Sequence, residues 1–232
     1  MLTLSVDTSS RVGSLAVLKD QSILGVVSTS SDEAYSARMF RQLKFMLAEL
    51  GIGLPAIDLY AVIAGPGSFT GLRVGLTAVK GWAEVYHRPI VPVSGLEAVA
   101  VESPVQDGLV ASILDARRGQ IYGALYSKKG GRMETLVSDC VSAPDEFLSS
   151  LRECVSGTTD VVIASPSPEY VRNALAGSAF AACAVLRVSP VLAPVAGLLG
   201  IERAARGEVI TALELDANYV RRTDAEMHLK GS

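Results

Sequence analysis

Apolar and polar residues alternate through Leu2-Thr3-Leu4-Ser5-Val6, the pattern of a half-buried strand. The turn chemistry of Asp7-Thr8-Ser9-Ser10 follows, and Gly13 to Leu18 and Ile23 to Ser28 continue as two further strands. Ser30 with Glu33 three residues later is a capping-box spacing, which predicts a helix running to Leu50 and stopped by Gly51. Leu59 to Ala64 is a continuous apolar run, as expected of a central strand buried on both faces. It leads through Gly65-Pro66-Gly67 into a second helix ending near Tyr86. Ile90 to Val93 is a strand, and Ser94 with Glu97 caps a short third helix.

A second half begins after Pro104. Leu109 to Leu114 reads as a strand ending at Asp115, with a turn at Ala116-Arg117-Arg118-Gly119. Gln120 to Tyr126 and Thr135 to Cys140 are strands, and a helix starts near Pro144 with Asp145 and Glu146 in its first turn. Val161 to Ala164 is a short buried strand, and Val191 to Arg206 a last helix. Three strands, helix, strand, helix thus occurs twice, and each copy's first strand ends in an aspartate and a polar turn. The pattern predicts a duplicated α/β fold with lobes at 1–103 and 104–232.

Composition narrows the function classes. The 232 residues are 49% hydrophobic and 19% charged, with a mean hydropathy of +0.35, so much of the chain is expected to be buried, some of it against a partner. No apolar stretch reaches membrane-span length, and the start of the chain lacks the basic region of a signal peptide. Cys140, Cys154 and Cys183 are odd in number and widely spaced, as expected of reduced thiols in a cytoplasmic protein. Lys and Arg total 21 against 24 Asp and Glu, a net charge of −3, which argues against a protein gripping a nucleic-acid backbone by itself.

The most distinctive segment is Gly65-Pro66-Gly67-Ser68-Phe69-Thr70-Gly71-Leu72-Arg73-Val74-Gly75. It lacks the Lys-Ser/Thr of a phosphate-binding P-loop, and Thr70 stands where a dinucleotide fingerprint needs its third glycine. Gly67, Gly71 and Gly75 recur every four residues, so close approach of another backbone is favoured over phosphate binding. Asp7, Thr8, Ser9 and Ser10 have the residue types to touch Mg²⁺ or phosphate, although such turns more often satisfy their own backbone. Asp115 has the same standing. Ser68 is not in a nucleophile elbow, because Pro66 and Thr70 flank it where glycines are required. The two histidines, His87 and His228, form no metal-binding spacing.

The helices give a further clue. On a wheel of about 100° per residue, Arg73, Thr77, Lys80 and Glu84 fall in one narrow arc of the second helix, and nearly everything else is apolar or glycine. In the first helix Met39, Phe40, Leu43, Met46, Leu47 and Leu50 form a broad face while Phe45 points elsewhere. Each helix therefore needs cover on two sides. Other elements of the chain or a second subunit supply it equally well on this reading.

The Gly65–Gly75 segment resembles the signature of the TsaB family, also called YeaZ. Leu4-Ser5-Val6-Asp7-Thr8-Ser9, Val93-Ser94-Gly95-Leu96-Glu97-Ala98, Asp115-Ala116-Arg117-Arg118-Gly119-Gln120-Ile121-Tyr122 and the tail Tyr219 to Glu226 extend the resemblance over nearly the whole chain. It implies a two-lobed actin/Hsp70-like fold (ASKHA, ribonuclease H-like). It also implies a non-catalytic scaffold in the bacterial machinery that makes N6-threonylcarbamoyladenosine beside the tRNA anticodon. There the TsaD paralogue performs the transfer and TsaE, an ATPase, joins the pair; tRNA is reached only through the complex. The family's contact, with TsaD or as a homodimer, corresponds to helices Ala37–Leu50 and Thr70–Tyr86. This singles out Met39, Phe40, Leu43, Met46, Leu47, Gly71, Val74, Gly75, Ala78 and Trp82. Asp7, Thr8 and Ser9 match the remains of a nucleotide loop, and prolines in Ser165-Pro166-Ser167-Pro168-Glu169-Tyr170 replace an adenosine-binding glycine motif. The expectation is no tightly bound cofactor and at most weak ATP or ADP binding. Relatives often begin the first helix with His-Ser-Glu, where this chain has Tyr35-Ser36-Ala37. The competing expectations are an ATPase using Asp7 and Asp115, a peptidase, and a homodimer serving another partner.

Overall fold

A computed structural model of the chain describes residues 1–155, 161–218 and 220. The chain divides into two compact units, each built on one five-stranded mixed sheet. The first holds Met1–Ala98 together with Ser189–Ala217, the second Val99–Val188.

In the first unit β1 (Leu2–Asp7), β2 (Val12–Lys19) and β3 (Ser22–Ser30) form an antiparallel meander. β4 (Leu59–Gly65) then pairs parallel with β1, and β5 (Ile90–Ser94) parallel with β4, giving the order β3-β2-β1-β4-β5. Every residue of β4 is buried, as its unbroken apolar run requires. β2 shows how one strand serves two faces. Leu15 and Val17 join Leu4, Val6 and Val62 in a core with α1 (Tyr35–Leu50) and α2 (Phe69–Tyr86), while Ala16 and Leu18 pack under α6 (Ala193–Ala205). α6 lies close to the sheet because it offers glycines: a Cβ on Gly197 would stand 2.4 Å from Leu18 Cδ1 and one on Gly200 2.7 Å from the Ala61 Cβ. Its other end is clamped by Arg203, whose Nη2 donates to both carboxylate oxygens of Glu97 at 2.5 Å and whose Nη1 donates to the Pro92 carbonyl at 3.0 Å. Glu97 sits in α3 (Gly95–Glu102), whose start is capped by the Ser94 hydroxyl accepting from the Leu96 and Glu97 amides, as the sequence predicts.

The second unit repeats the plan. β6 (Gly108–Arg117), β7 (Gln120–Lys129) and β8 (Arg132–Ser142) form a meander, and β9 (Val161–Ser165) and β10 (Val185–Arg187) add parallel strands beyond β6. The order β10-β9-β6-β7-β8 is the first sheet's order over again, third-second-first-fourth-fifth. α4 (Pro144–Cys154) and α5 (Pro168–Leu175) supply Phe147, Leu151, Val171 and Leu175 to a core on Ala111, Ile113, Ile121 and Leu125. A shared device marks the duplication. Gly13 of β2 lies under the Tyr35 ring from the first turn of α1, and Gly123 of β7 under the Phe147 ring from the first turn of α4. The two-lobed duplicated α/β plan of the ribonuclease H-like, actin/Hsp70-like class is therefore present strand for strand.

Several expectations are corrected. The last helix packs on the first sheet, so the units are not the continuous stretches 1–103 and 104–232: the small residues of α6 fit the small residues of β1 and β4. The Ser30/Glu33 pair caps nothing. α1 starts at Tyr35 with Ala34 in the cap position, the Glu33 amide donates to Ser31 Oγ, and the Glu33 carboxylate pairs with Arg41. α5 and β10 escaped the sequence reading because prolines and short apolar runs gave no period to follow. The tail motif Tyr219 to Glu226, apart from Val220, and His228 lie outside the described residues.

Candidate functional site

The two stretches singled out for chemistry form one contact. β1 ends in Asp7, 1% exposed, followed by Thr8 and Ser9 at 2% and 6%. Directly against them lies the start of α2, capped by Ser68, whose hydroxyl accepts from the Gly71 amide at 3.3 Å. The Ser68 amide donates to the Ser9 carbonyl at 2.7 Å, and the Thr8 hydroxyl to the Gly71 carbonyl at 2.8 Å. Gly67, Gly71 and Gly75 make this approach achievable. A Cβ at these positions would stand 2.5 Å from the Ser9 carbonyl oxygen, 2.1 Å from the Thr8 carbonyl oxygen and 2.4 Å from Thr8 Oγ1. The recurring glycines serve the close backbone approach favoured from the sequence, and the backbone that approaches is the chain's own first loop.

Asp7 carries an electrostatic cost there. Its Oδ1 accepts from the Ser9 amide at 2.9 Å and the Ser9 hydroxyl at 2.7 Å, while Oδ2 has no protein partner. Burial pushes its carboxyl up to about 6, against the pull of the two Ser9 hydrogen bonds. The counterpart in the second unit is unlike it. Asp115 is partly exposed, accepts from the Arg117 amide at 2.7 Å and pairs with the Arg117 guanidinium at 3.2 Å, in a turn where Arg117, Arg118 and Gly119 all take positive φ. Ser165 to Tyr170 leads into α5 with Pro168 in its first turn, and the Tyr170 hydroxyl donates to the Gln120 carbonyl at 3.0 Å.

The helix faces assigned to a partner divide in two. Met39, Leu43, Met46 and Leu47 of α1 and Ala78 of α2 are buried in the chain's own core, and Gly71 and Gly75 face Thr8. Those seven residues are unavailable to a partner: the sheet and the first loop supply the cover that the apolar width demanded. Phe40 at 51% exposure, Val74 and Trp82 reach the surface. Trp82 lies between the buried Tyr60, centroids 6.0 Å apart, and the exposed Phe40, an edge-on contact at 6.2 Å. Phe69 at 40% and Val85 at 67% extend the exposed apolar surface of α2, with the Arg73 guanidinium stacked 3.9 Å over the Phe69 ring. Arg73, Thr77 and Glu84 are exposed, as the polar arc predicts.

Sequence reasoning missed Arg38. It is 3% exposed and has no carboxylate in its hydrogen bonds: Nη1 donates to the Thr29 carbonyl and hydroxyl, Nη2 to the Arg11 carbonyl, and the guanidinium stacks 3.9 Å over the Tyr35 ring. Tyr35 in turn donates its hydroxyl to the Ser10 carbonyl at 2.7 Å. Tyr35 and Arg38 of α1 thus both hold the first loop, at the Ser10 and Arg11 carbonyls. The only available signal was Gly13, a small residue in a strand where a ring must lie.

Among the described residues there is no cluster of His, Cys, Asp and Glu able to hold a metal ion, and no helix long and apolar enough to cross a membrane. The three cysteines are free thiols.

Comparison with known proteins agrees with this architecture. Residues 13–188 match the family described as TsaD, tRNA N6-adenosine threonylcarbamoyltransferase. The tRNA threonylcarbamoyladenosine biosynthesis protein TsaB of Bacillus subtilis is 33% identical over 153 residues, covering 66% of this chain and 67% of that protein. The TsaB of Haemophilus influenzae is 29% identical over 160 residues, covering 64% and 67%. The solved structure of YeaZ from Pseudomonas aeruginosa superposes with a TM-score of 0.76 at 27% identity, over 94% of this chain and 99% of that one. The chain belongs to the TsaB (YeaZ) family of tRNA threonylcarbamoyladenosine biosynthesis proteins.

Proposed function

We propose that this chain is the non-catalytic scaffold of the cytoplasmic assembly that forms N6-threonylcarbamoyladenosine next to the tRNA anticodon. It seats a TsaD-like catalytic paralogue on α1 and α2, and a TsaE-like ATPase joins the pair. The observation that carries this reading is the Phe40–Trp82 pair, an aromatic contact left at the surface of two helices whose other apolar side chains are in large part taken up by the chain's own core, with Phe45, Phe69 and Val85 also exposed. Aromatic side chains at a desolvated centre are the usual anchors of a subunit contact.

The first loop supports the non-catalytic part. In a phosphate-binding loop, hydroxyls and amides point at the ligand; here the Thr8 hydroxyl, the Ser68 amide and Asp7 Oδ1 are engaged with the chain itself. Nucleotide binding is accordingly weak or absent in this proposal. The net charge of −3 leaves tRNA to be held by the other subunits. The test is reconstitution of the modification on tRNA from purified subunits. Product formation should require this chain and should fail with Phe40→Glu, while Asp7→Asn remains competent. Equal product from Phe40→Glu contradicts the seating, and loss of product with a correctly folded Asp7→Asn contradicts the inert loop.

A further inference from the structure

Three aromatic rings lead from the first sheet to the surface, each from a different element. Tyr60 on β4 is 0% exposed, and its register neighbours are Leu4 of β1 and Ile90 of β5. All three side chains belong to the core shared with α1 and α2, so the ring is wedged on both sides in a close-packed layer. Trp82 of α2 lies tilted against Tyr60 at 35°, and Phe40 of α1 meets Trp82 edge-on at 88°. β4 stands between α1 and α2 in the chain, so no turn sets the spacing of Phe40 and Trp82. Tertiary contacts must set it. The Tyr60 hydroxyl is buried without a hydrogen-bond partner, and burial pushes it up to about 12. A hydroxyl in that state costs stability, so the ring is the part of Tyr60 that its neighbours use.

We propose that Tyr60 is a positioning residue for partner binding: its ring fixes Trp82, and Trp82 holds Phe40 in the orientation in which the partner takes it. The inference rests on the seating proposed above and adds to it a residue that no partner can touch. An exposed ring that is free to turn must be ordered when a partner binds, and that ordering lowers affinity. A ring already held from the sheet escapes the loss. Leucine at position 60 would remain apolar and buried but would offer Trp82 no aromatic face.

The experiment is calorimetric titration of the full chain with the TsaD-like protein of the same organism. It is read beside the emission and anisotropy of Trp82, the sole tryptophan, in the free chain. Tyr60→Phe should bind as wild type does and leave the emission unchanged. Tyr60→Leu should raise Kd about two- to tenfold, shift the Trp82 emission to the red and lower its anisotropy, with the circular dichroism of the folded chain retained. In a Trp82→Leu background, Tyr60→Leu should change Kd no further. Unchanged affinity in Tyr60→Leu, an equal loss in Tyr60→Phe, or a loss that persists in full in the Trp82→Leu background each overturns the proposal. If Tyr60→Leu fails to fold, the anisotropy decay of the wild-type chain decides: Trp82 should turn only with the whole molecule, and a fast component overturns the proposal. Binding that survives Phe40→Glu overturns the seating itself. The hold of Tyr60 on Trp82 is then read from the free chain, and it fails if Tyr60→Leu leaves emission and anisotropy unchanged.

Discussion

The Thr8 hydroxyl donates to the Gly71 carbonyl at 2.8 Å, and a Cβ on Gly71 would come within 2.1 Å of the Thr8 carbonyl oxygen. One residue of the first loop and one of the family signature thus fix each other, and neither backbone can give way without breaking the strand-to-helix junction. Gly71→Ala should destabilise the chain by about 3 kcal/mol in urea unfolding. Gly81 lies further along the same helix, and a Cβ there meets nothing within 4 Å. Gly81→Ala should therefore stabilise by about 0.5–1 kcal/mol through helix propensity. Equal effects from the two substitutions would remove the packing role assigned to the signature.

Asp7 predicts a pH dependence with a defined sign. Its carboxyl is raised to about 6 from the ordinary 3.8, so the folded state disfavours the ionised form. The relative stabilisation is complete below the unfolded value and is lost as pH rises through 6. The gap between about 6 and 3.8 corresponds to on the order of 3 kcal/mol at neutral pH. Asp7→Asn keeps an oxygen to accept from Ser9 and removes the charge. It should raise stability at pH 7–8 by up to that amount and flatten the slope of stability between pH 4 and 6, as followed by urea midpoints at each pH.

Tyr35 is expected to matter for the loop. Tyr35→Phe keeps the ring over Gly13 and loses the bond to the Ser10 carbonyl, a cost of about 1 kcal/mol. Tyr35→Ala also removes the ring on which Arg38 stacks and should cost about 3 kcal/mol. Thermal unfolding of the two variants, ranked against wild type, checks the order.

Charge insertion now separates two classes of residue on one helix. Leu43 is 4% exposed in the core, so Leu43→Glu should unfold the chain. Phe40 is half exposed, so Phe40→Glu should change stability by only about 0.5 kcal/mol while weakening partner binding at least about tenfold. Trp82 is the sole tryptophan and touches Phe40, so its emission should shift when the partner binds.

Much of the fold was legible because its signals are local. The alternation of Leu2–Val6, the apolar run at Leu59–Ala64 and the Ser94 cap each prescribe their own element. The repeat of three strands, helix and strand was legible too, but the last helix it predicts, Val191–Arg206, packs on the first sheet, while the second unit's own α5 gave no period to follow. The site was half legible. Gly67, Gly71 and Gly75 announced a close approach, but what approached was Asp7–Ser9, about sixty residues away, and periodicity carries no information about such pairing. The breadth of the apolar faces on α1 and α2 was real, yet width alone cannot separate a residue facing the sheet, such as Met39, from one facing outward, such as Phe40. Arg38 and α6 show the same limit: the first reads as a surface charge, and the second follows the second unit in sequence yet packs on the first.

The most direct test of the scaffold assignment is size exclusion with light scattering on this chain mixed with the TsaD-like protein of the same organism. The account predicts a new species at the mass of a mixed complex, accompanied by a change in Trp82 emission, with both lost in Phe40→Glu. Two unchanged peaks, or a complex that Phe40→Glu forms as readily as wild type, would contradict it.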